Sequence, residues 1–209
     1  MRLRRIVHLA ATAALSAVVT AFLSACSSAS PHYYTLSPAA TASGLPATGG
    51  NVVVGPVTIP ASVDQPQFVT QEGANRVSVD EFNRWAGPLN ENIARVVAQN
   101  LVMLLGTANV AIGPLANFVP DYTVAIDVQR FESVRGQRTE LDAVWTVRDK
   151  VTGITRSGRT SANEPVTGDS FDALAAAHSR ALAMLSGDIA NAIRADATNQ
   201  SRLQPDPAR

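Results

Sequence analysis

With 209 residues, 46% of them hydrophobic, and 17 basic against 17 acidic side chains, the chain can build one ordinary domain and carries no formal net charge. If Arg2, Arg4 and Arg5 leave with an N-terminal leader, 14 basic residues face 17 acidic ones, about −3, which argues against broad electrostatic binding to nucleic acid or an anionic bilayer. One cysteine, Cys26, excludes an internal disulfide framework, so packing must hold the fold.

The first segment in chain order reads as an export address. "MRLRR" is basic, residues 6–25 are apolar and alanine-rich, and small residues precede Cys26. The run is just long enough to span a bilayer, but its Ala, Ser and Thr content makes insertion weak and no basic cluster follows it. "LSAC" at 23–26 resembles the lipobox of bacterial lipoproteins. That resemblance implies removal of a signal peptide of residues 1–25, diacylglycerol on the Cys26 thiol, and an acyl chain such as palmitate on the new amine. Ser27, standing where aspartate would mark inner-membrane retention, then points to the periplasmic face of the outer membrane. The lipid at Cys26 is the only non-protein group expected.

Residues 26–50 read as the lipidated cysteine and a tether rich in Ser, Pro and Gly, whose 24 residues after Cys26 would reach roughly 27 Å as a coil. "HYYTL" at 32–36 is too aromatic for a linker and is expected to clip the tether onto the domain as a short strand. Residues 51–195 carry the domain. "NVVVGPVTIP" is a strand run interrupted by Gly55-Pro56, which predicts a bulge or an edge position. Residues 67–71 and 75–80 flank "EGA" and predict a hairpin. Leu89, Ile93, Val96, Val97, Leu101, Leu104 and Leu105 recur at helical spacing, with Pro88 suited to the start and Gly106 to the stop.

"NVAIG" fits a short strand. "DYTVAIDVQRFE" and "TELDAVWTVRD" alternate with period two, and "ITRSGRTS" adds a third, more polar strand, which together predict an antiparallel meander. A final helix buries Phe171, Leu174, His178, Leu182, Leu185, Ile189 and Ile193, with Asp169 as the expected N-cap, and residues 196–209 read as a flexible tail. The predicted class is α+β: a mostly antiparallel sheet with two long helices on one face, a two-layer sandwich.

Catalytic constellations are missing from the sequence. There is no HExxH, paired-cysteine zinc spacing, P-loop or G-x-S-x-G. His178 on an apolar stripe reads as a core residue, and the acidic residues are scattered along solvated faces. The expectation is a non-enzyme with no metal and no nucleic-acid partner.

The ordered segments resemble the PqiC-like auxiliary lipoproteins of ABC-type transport systems. The matching residues are "YYTL" at 33–36, "VVVGPVTIPASVDQPQFVT" at 52–70 with Pro60, Asp64, Pro66 and Gln67 at its centre, "NRVSVDEFNRWAGPL" at 75–89, "VQRFE" at 128–132, and Trp145. Gly87 in "RWAGPL" departs from the acidic residue expected there. The resemblance implies an outer-membrane lipoprotein that works beside an MCE-domain protein and its inner-membrane transporter, moves phospholipid or other hydrophobic cargo between membranes, and supports envelope integrity. It implies no catalytic residues. Tyr33, Tyr34, Asp64, Pro66 and Gln67 are the partner-interface candidates, against a simpler reading of 64–67 as a turn into a strand. Homo-oligomerisation stays open. The competing reading is an activator or scaffold of a cell-wall synthesis complex, which ordinarily has a longer tether. With no apolar run left over after packing, the monomer is expected not to enclose a lipid.

Overall fold

Continuous apolar runs and alternating ones fold into different sheets. In the computed structural model, which describes residues 30–113 and 116–203, a five-stranded sheet has the order β5-β2-β6-β7-β8 and a three-stranded sheet the order β1-β4-β3. The strands are β1 (His32–Tyr34), β2 (Val52–Thr58), β3 (Gln67–Gly73), β4 (Arg76–Trp85), β5 (Val110–Ile112), β6 (Tyr122–Val134), β7 (Arg138–Asp149) and β8 (Thr155–Pro165). Helix α1 (Leu89–Leu105) follows β4, and α2 (Phe171–Leu203) closes the chain. The leader, Cys26 and residues 204–209 lie outside the described residues.

The class is α+β, but the single, mostly antiparallel sheet is replaced by two mixed ones. β6, β7 and β8 form the expected antiparallel meander, and β3 and β4 the expected hairpin. β2, however, runs parallel to both β5 and β6, and β1 runs parallel to β4. Val52, Val53 and Val54 are all buried, as suits an interior parallel strand covered on both faces. Gly55-Pro56 is a bulge rather than an edge: the β2–β6 register shifts between Val54 and Val57, and Gly55 takes φ 134, open only to glycine. α1 packs on β2 and β5, α2 on β6, β7 and β8, and the helices pack on each other, so they divide the large sheet between them.

Both helices bury the predicted stripes. Ile93, Val96, Val97 and Leu101 from α1 meet Leu174, Leu182, Leu185, Ile189 and Ile193 from α2 in one core. Gly106 ends α1 at φ 68, its N–H donating to Val102 O at 3.1 Å. Ser170 replaces Asp169 as the cap of α2: Ala173 N donates to Ser170 Oγ at 3.1 Å, while Asp169 pairs with Arg135 at 3.2 Å. The C-terminal boundary also moves. α2 continues past 195 to Leu203, and the Asp196 carboxylate is buried against Arg156 of β8, where an exposed tail would have left it in water.

Residues 35–50 form no regular element, yet they are built into the fold as a strap across both helices. Leu36 is buried in the core. Ser37 N donates to Ser179 Oγ of α2 at 3.1 Å, and Ala39 N and Ala40 N both donate to Asn100 Oδ1 of α1 at 3.1 Å. Asn100 is itself buried and donates through Nδ2 to Ser186 Oγ of α2 at 3.2 Å. Thr48 N donates to Leu105 O at 2.8 Å, and Ser43 Oγ and Arg194 both donate to Leu104 O. These bonds satisfy the last carbonyls of α1, which no helical partner can reach.

Two outcomes follow from this packing. A Cβ on Gly158 would stand 2.2 Å from Cζ2 of Trp145, its register partner on β7. Gly158→Ala should therefore lower stability by about 1–3 kcal/mol, read from the midpoint of urea unfolding. Asn100→Ala should cost about 1–2 kcal/mol and raise amide hydrogen exchange at Ala39 and Ala40 more than in β7.

Candidate docking surface

The small sheet has one aromatic face and one open face. Tyr34, Phe68 and Trp85 point inward. Phe68 stacks on Trp85 at 4.2 Å between centroids and meets Tyr34 at 5.9 Å and Phe171 of α2 at 5.1 Å. Trp85 reaches Phe131 of β6 at 6.2 Å, and Phe131 lies flat on His178 at 3.8 Å. Edge and stacked contacts of this kind exceed simple area burial by about 0.5–1.5 kcal/mol per pair. They fasten the sheet to the body of the domain.

Tyr33 and Gln67 are 34 positions apart in sequence and come together on the opposite face. Arg84 of β4 is the register partner of both, so Tyr33, Arg84 and Gln67 stand in one row across three strands. Along β3 the same side carries Gln71, paired with the exposed Val77, whereas Val69, paired with Val79, is buried in the core. Glu81 joins the row through Arg84 Nη2 at 3.3 Å and Gln67 Nε2 at 3.5 Å. Asp64 and Pro66 are exposed in the turn that enters β3, where Pro66 O accepts from Trp85 N at 2.7 Å. Tyr34 stands apart from the other candidates: its ring belongs to the inner face, and its hydroxyl donates to Asn83 Oδ1 at 2.7 Å.

Sequence reading overlooked Asp80, Phe82, Asn83 and Arg84. β4 carries three more residues than β3 at this point, since Gln67 pairs with Arg84 but Phe68 with Asp80. Asp80 Oδ1 organises the excess chain. It accepts from Phe82 N and Asn83 N at 2.9 Å each and from Asn83 Nδ2 at 3.0 Å. Burial raises the Asp80 pKa, but these donors outweigh it and hold the carboxyl below its ordinary value. An aspartate two and three residues before its own donors is a local turn signature, and "DEFN" carries it.

The remaining concavities offer little chemistry. A cleft of about 940 Å³ between β3–β4 and β6–β7 holds Arg130, Arg135 and Arg138, but Glu132, Glu140 and Asp169 already pair with them. Hydrogen bonds from Arg138 and Arg130 hold the Glu140 carboxyl below the usual range. An open groove of about 550 Å³ beside the β2 bulge is lined by Val53, Val57, Ile112 and Phe118. Ser133 Oγ and His178 Nε2 share a 2.8 Å hydrogen bond, but both residues are buried, so no substrate reaches them. Among the described residues no group of three or more His, Cys, Asp or Glu side chains is placed to hold a metal ion, and no helix is long and apolar enough to cross a membrane.

A family model described as the ABC-type transport auxiliary lipoprotein component matches residues 34–190. No curated protein matches. Among solved structures, a Xanthomonas campestris protein from a family of unknown function aligns with a TM-score of 0.67 at 18% identity, over 83% of this chain and 100% of its own. An uncharacterised protein aligns with a TM-score of 0.66 at 20% identity, over 79% and 99%. A PelC dodecamer from Paraburkholderia phytofirmans is a more distant match, with a TM-score of 0.37 at 18% identity over 75% and 92%. At these identities the likeness to the first two is one of fold.

The buried histidine gives the domain an acid sensitivity. Burial lowers the His178 pKa from 6.5 to about 3. The unfolded chain takes up a proton below about 6.5 that the folded chain refuses until about 3, so stability falls with pH across that window. The slope should approach ~1.4 kcal/mol per pH unit. Urea unfolding between pH 6.5 and 5, above the range where most carboxylates titrate, should show this slope, and His178→Gln should flatten it.

Proposed function

This chain belongs to the ABC-type transport auxiliary lipoprotein components, the PqiC-like family, and from that premise we propose that it is the outer-membrane end of an MCE-type lipid transport system. In this reading it is a non-catalytic subunit, acylated at Cys26 and facing the periplasm, that docks the periplasm-spanning assembly of an MCE-domain protein and its inner-membrane transporter. It supports envelope integrity without a cofactor other than its own lipid.

One observation carries the reading. The chain is part of the fold from His32 onward, so only residues 27–31 separate an acylated Cys26 from β1. Six Cα–Cα steps span at most roughly 22 Å. A domain held that close to its membrane suits a receiver at the end of a spanning assembly. It is poorly placed to reach across the periplasm to a cell-wall synthase. The turn at 64–67 is the docking element in this proposal, because Asp64 and Pro66 are exposed where the chain enters β3.

The arginine-lined cleft is unsuited to acyl chains, and in this reading the monomer acts as a dock rather than a carrier. A photo-crosslinking residue at Asp64 or Gln67 in living cells should capture an MCE-domain protein. Capture of a penicillin-binding protein, with no MCE adduct, would overturn the assignment. Purified, delipidated protein should take up no stoichiometric phospholipid from liposomes, and uptake at one lipid per chain would contradict the docking role.

A further inference from the structure

We propose that the open face of the small sheet is a membrane seat, with Tyr33 and Phe82 resting in the interfacial region of the bilayer beside the acyl anchor. The inference rests on acylation at Cys26 and goes beyond it, because it assigns a second, non-covalent contact with the lipid surface and a fixed orientation of the domain.

Exposure is the first ground. Tyr33 is 62% exposed and Phe82 45%, and among the described residues no other Phe, Tyr or Trp side chain is exposed. Both belong to the small sheet, where Val77 and Val79 are exposed as well. A domain that buries Phe68, Trp85, Phe131 and Phe171 in one aromatic stack, with Tyr34 partly buried against it, has the means to cover such rings, yet it leaves these two in the open.

Phe82 is also presented by dedicated geometry. It lies in the extra chain of β4 that Asp80 gathers through two backbone donors, one of them Phe82 N itself. Asn83, the next residue, is held by the Asp80 carboxylate and by the Tyr34 hydroxyl. The bulge is therefore pinned from both sides, which fixes the position from which the Phe82 ring projects.

Chain reach supplies the occupant. β1 is an edge strand, its first residue pairs with Asn83, and Phe82 is the residue before Asn83. The segment leading to Cys26 therefore leaves the fold beside Phe82, and its six Cα–Cα steps allow at most roughly 22 Å to the acylated residue. Aromatic side chains with an apolar body are favoured at the headgroup level of a bilayer, and tyrosine adds a hydroxyl that can stay in water. Arg84 stands in the same row and is answered by Glu81 at 3.3 Å. The face is thus close to charge-balanced, so its membrane contact is apolar and should depend little on anionic lipid.

The test uses the full, acylated protein in vesicles of zwitterionic phospholipid with brominated chains. Tyr33→Trp and Phe82→Trp should give indole emission that brominated chains quench and aqueous iodide does not. Leu45→Trp, on the exposed strap, should behave oppositely, and Trp85 and Trp145 are buried and give a constant background. Replacing part of the lipid with an anionic one should leave the quenching unchanged. Mass analysis of the same sample separates the two possible failures. A Cys26 without lipid refutes the anchor and the seat together. An acylated Cys26 with iodide-accessible indoles at 33 and 82 refutes the seat alone. A photo-crosslinker at Phe82 that captures protein in cells, and no phospholipid, would also overturn it.

Discussion

The buried amide of Asn100 is the joint that holds the strap and the two helices together. Its oxygen receives two backbone N–H groups from the strap, and its nitrogen donates to Ser186 on the other helix. Three chain segments with no reason to stay together are tied at one residue. An amide at a helix–helix contact is costly unless every polar atom is paired, and the strap completes that pairing. The same strap covers the C-terminal carbonyls of α1. A stretch that composition would assign to a free linker is thereby fixed to the body.

The aromatic stack does for the small sheet what Asn100 does for the strap. Rings from β1, β3, β4, β6 and α2 interlock through Phe68, Trp85 and Phe131, and the line ends on His178. The cost is a histidine that must stay neutral, and with it the acid sensitivity of the core. The gain is a rigid platform whose open face can hold Tyr33, Arg84 and Gln67 in a row. Inner and outer faces of one short sheet therefore divide the work between cohesion and contact.

How much of this is legible in the sequence follows from whether the causes are local. The meander and both helical stripes are visible because period two and period 3.6 are written in neighbouring residues, as in Val124, Ile126 and Val128 or Leu182, Leu185 and Ile189. The "YYTL" clip is visible because tyrosine and leucine stand out in a Ser- and Pro-rich stretch. The parallel partners of β2 are not visible. They lie beyond α1, at residues 110–112 and 122–134, and nothing near Val52 names them. The strap is hidden because backbone N–H groups make its bonds and side-chain identity barely matters. The continuation of α2 past 195 rests on Asp196 meeting Arg156, a contact between residues 40 positions apart. Of the candidate surface, Tyr33 and Gln67 are legible as residues, but their common row needs the register of β4, and the bulge that presents Phe82 needs the mismatch between β3 and β4.

In the proposed arrangement a short, fixed connection between lipid and domain places the small sheet at the membrane and the docking turn beside it. Inserting about 20 Gly and Ser residues between Ser30 and Pro31 would add roughly 25 Å of coil without touching β1, the strap or the core. The lengthened protein should fold and be acylated normally but no longer support envelope integrity, measured as detergent sensitivity of cells carrying it as their only copy. Cells as resistant as those with the original chain would contradict the arrangement.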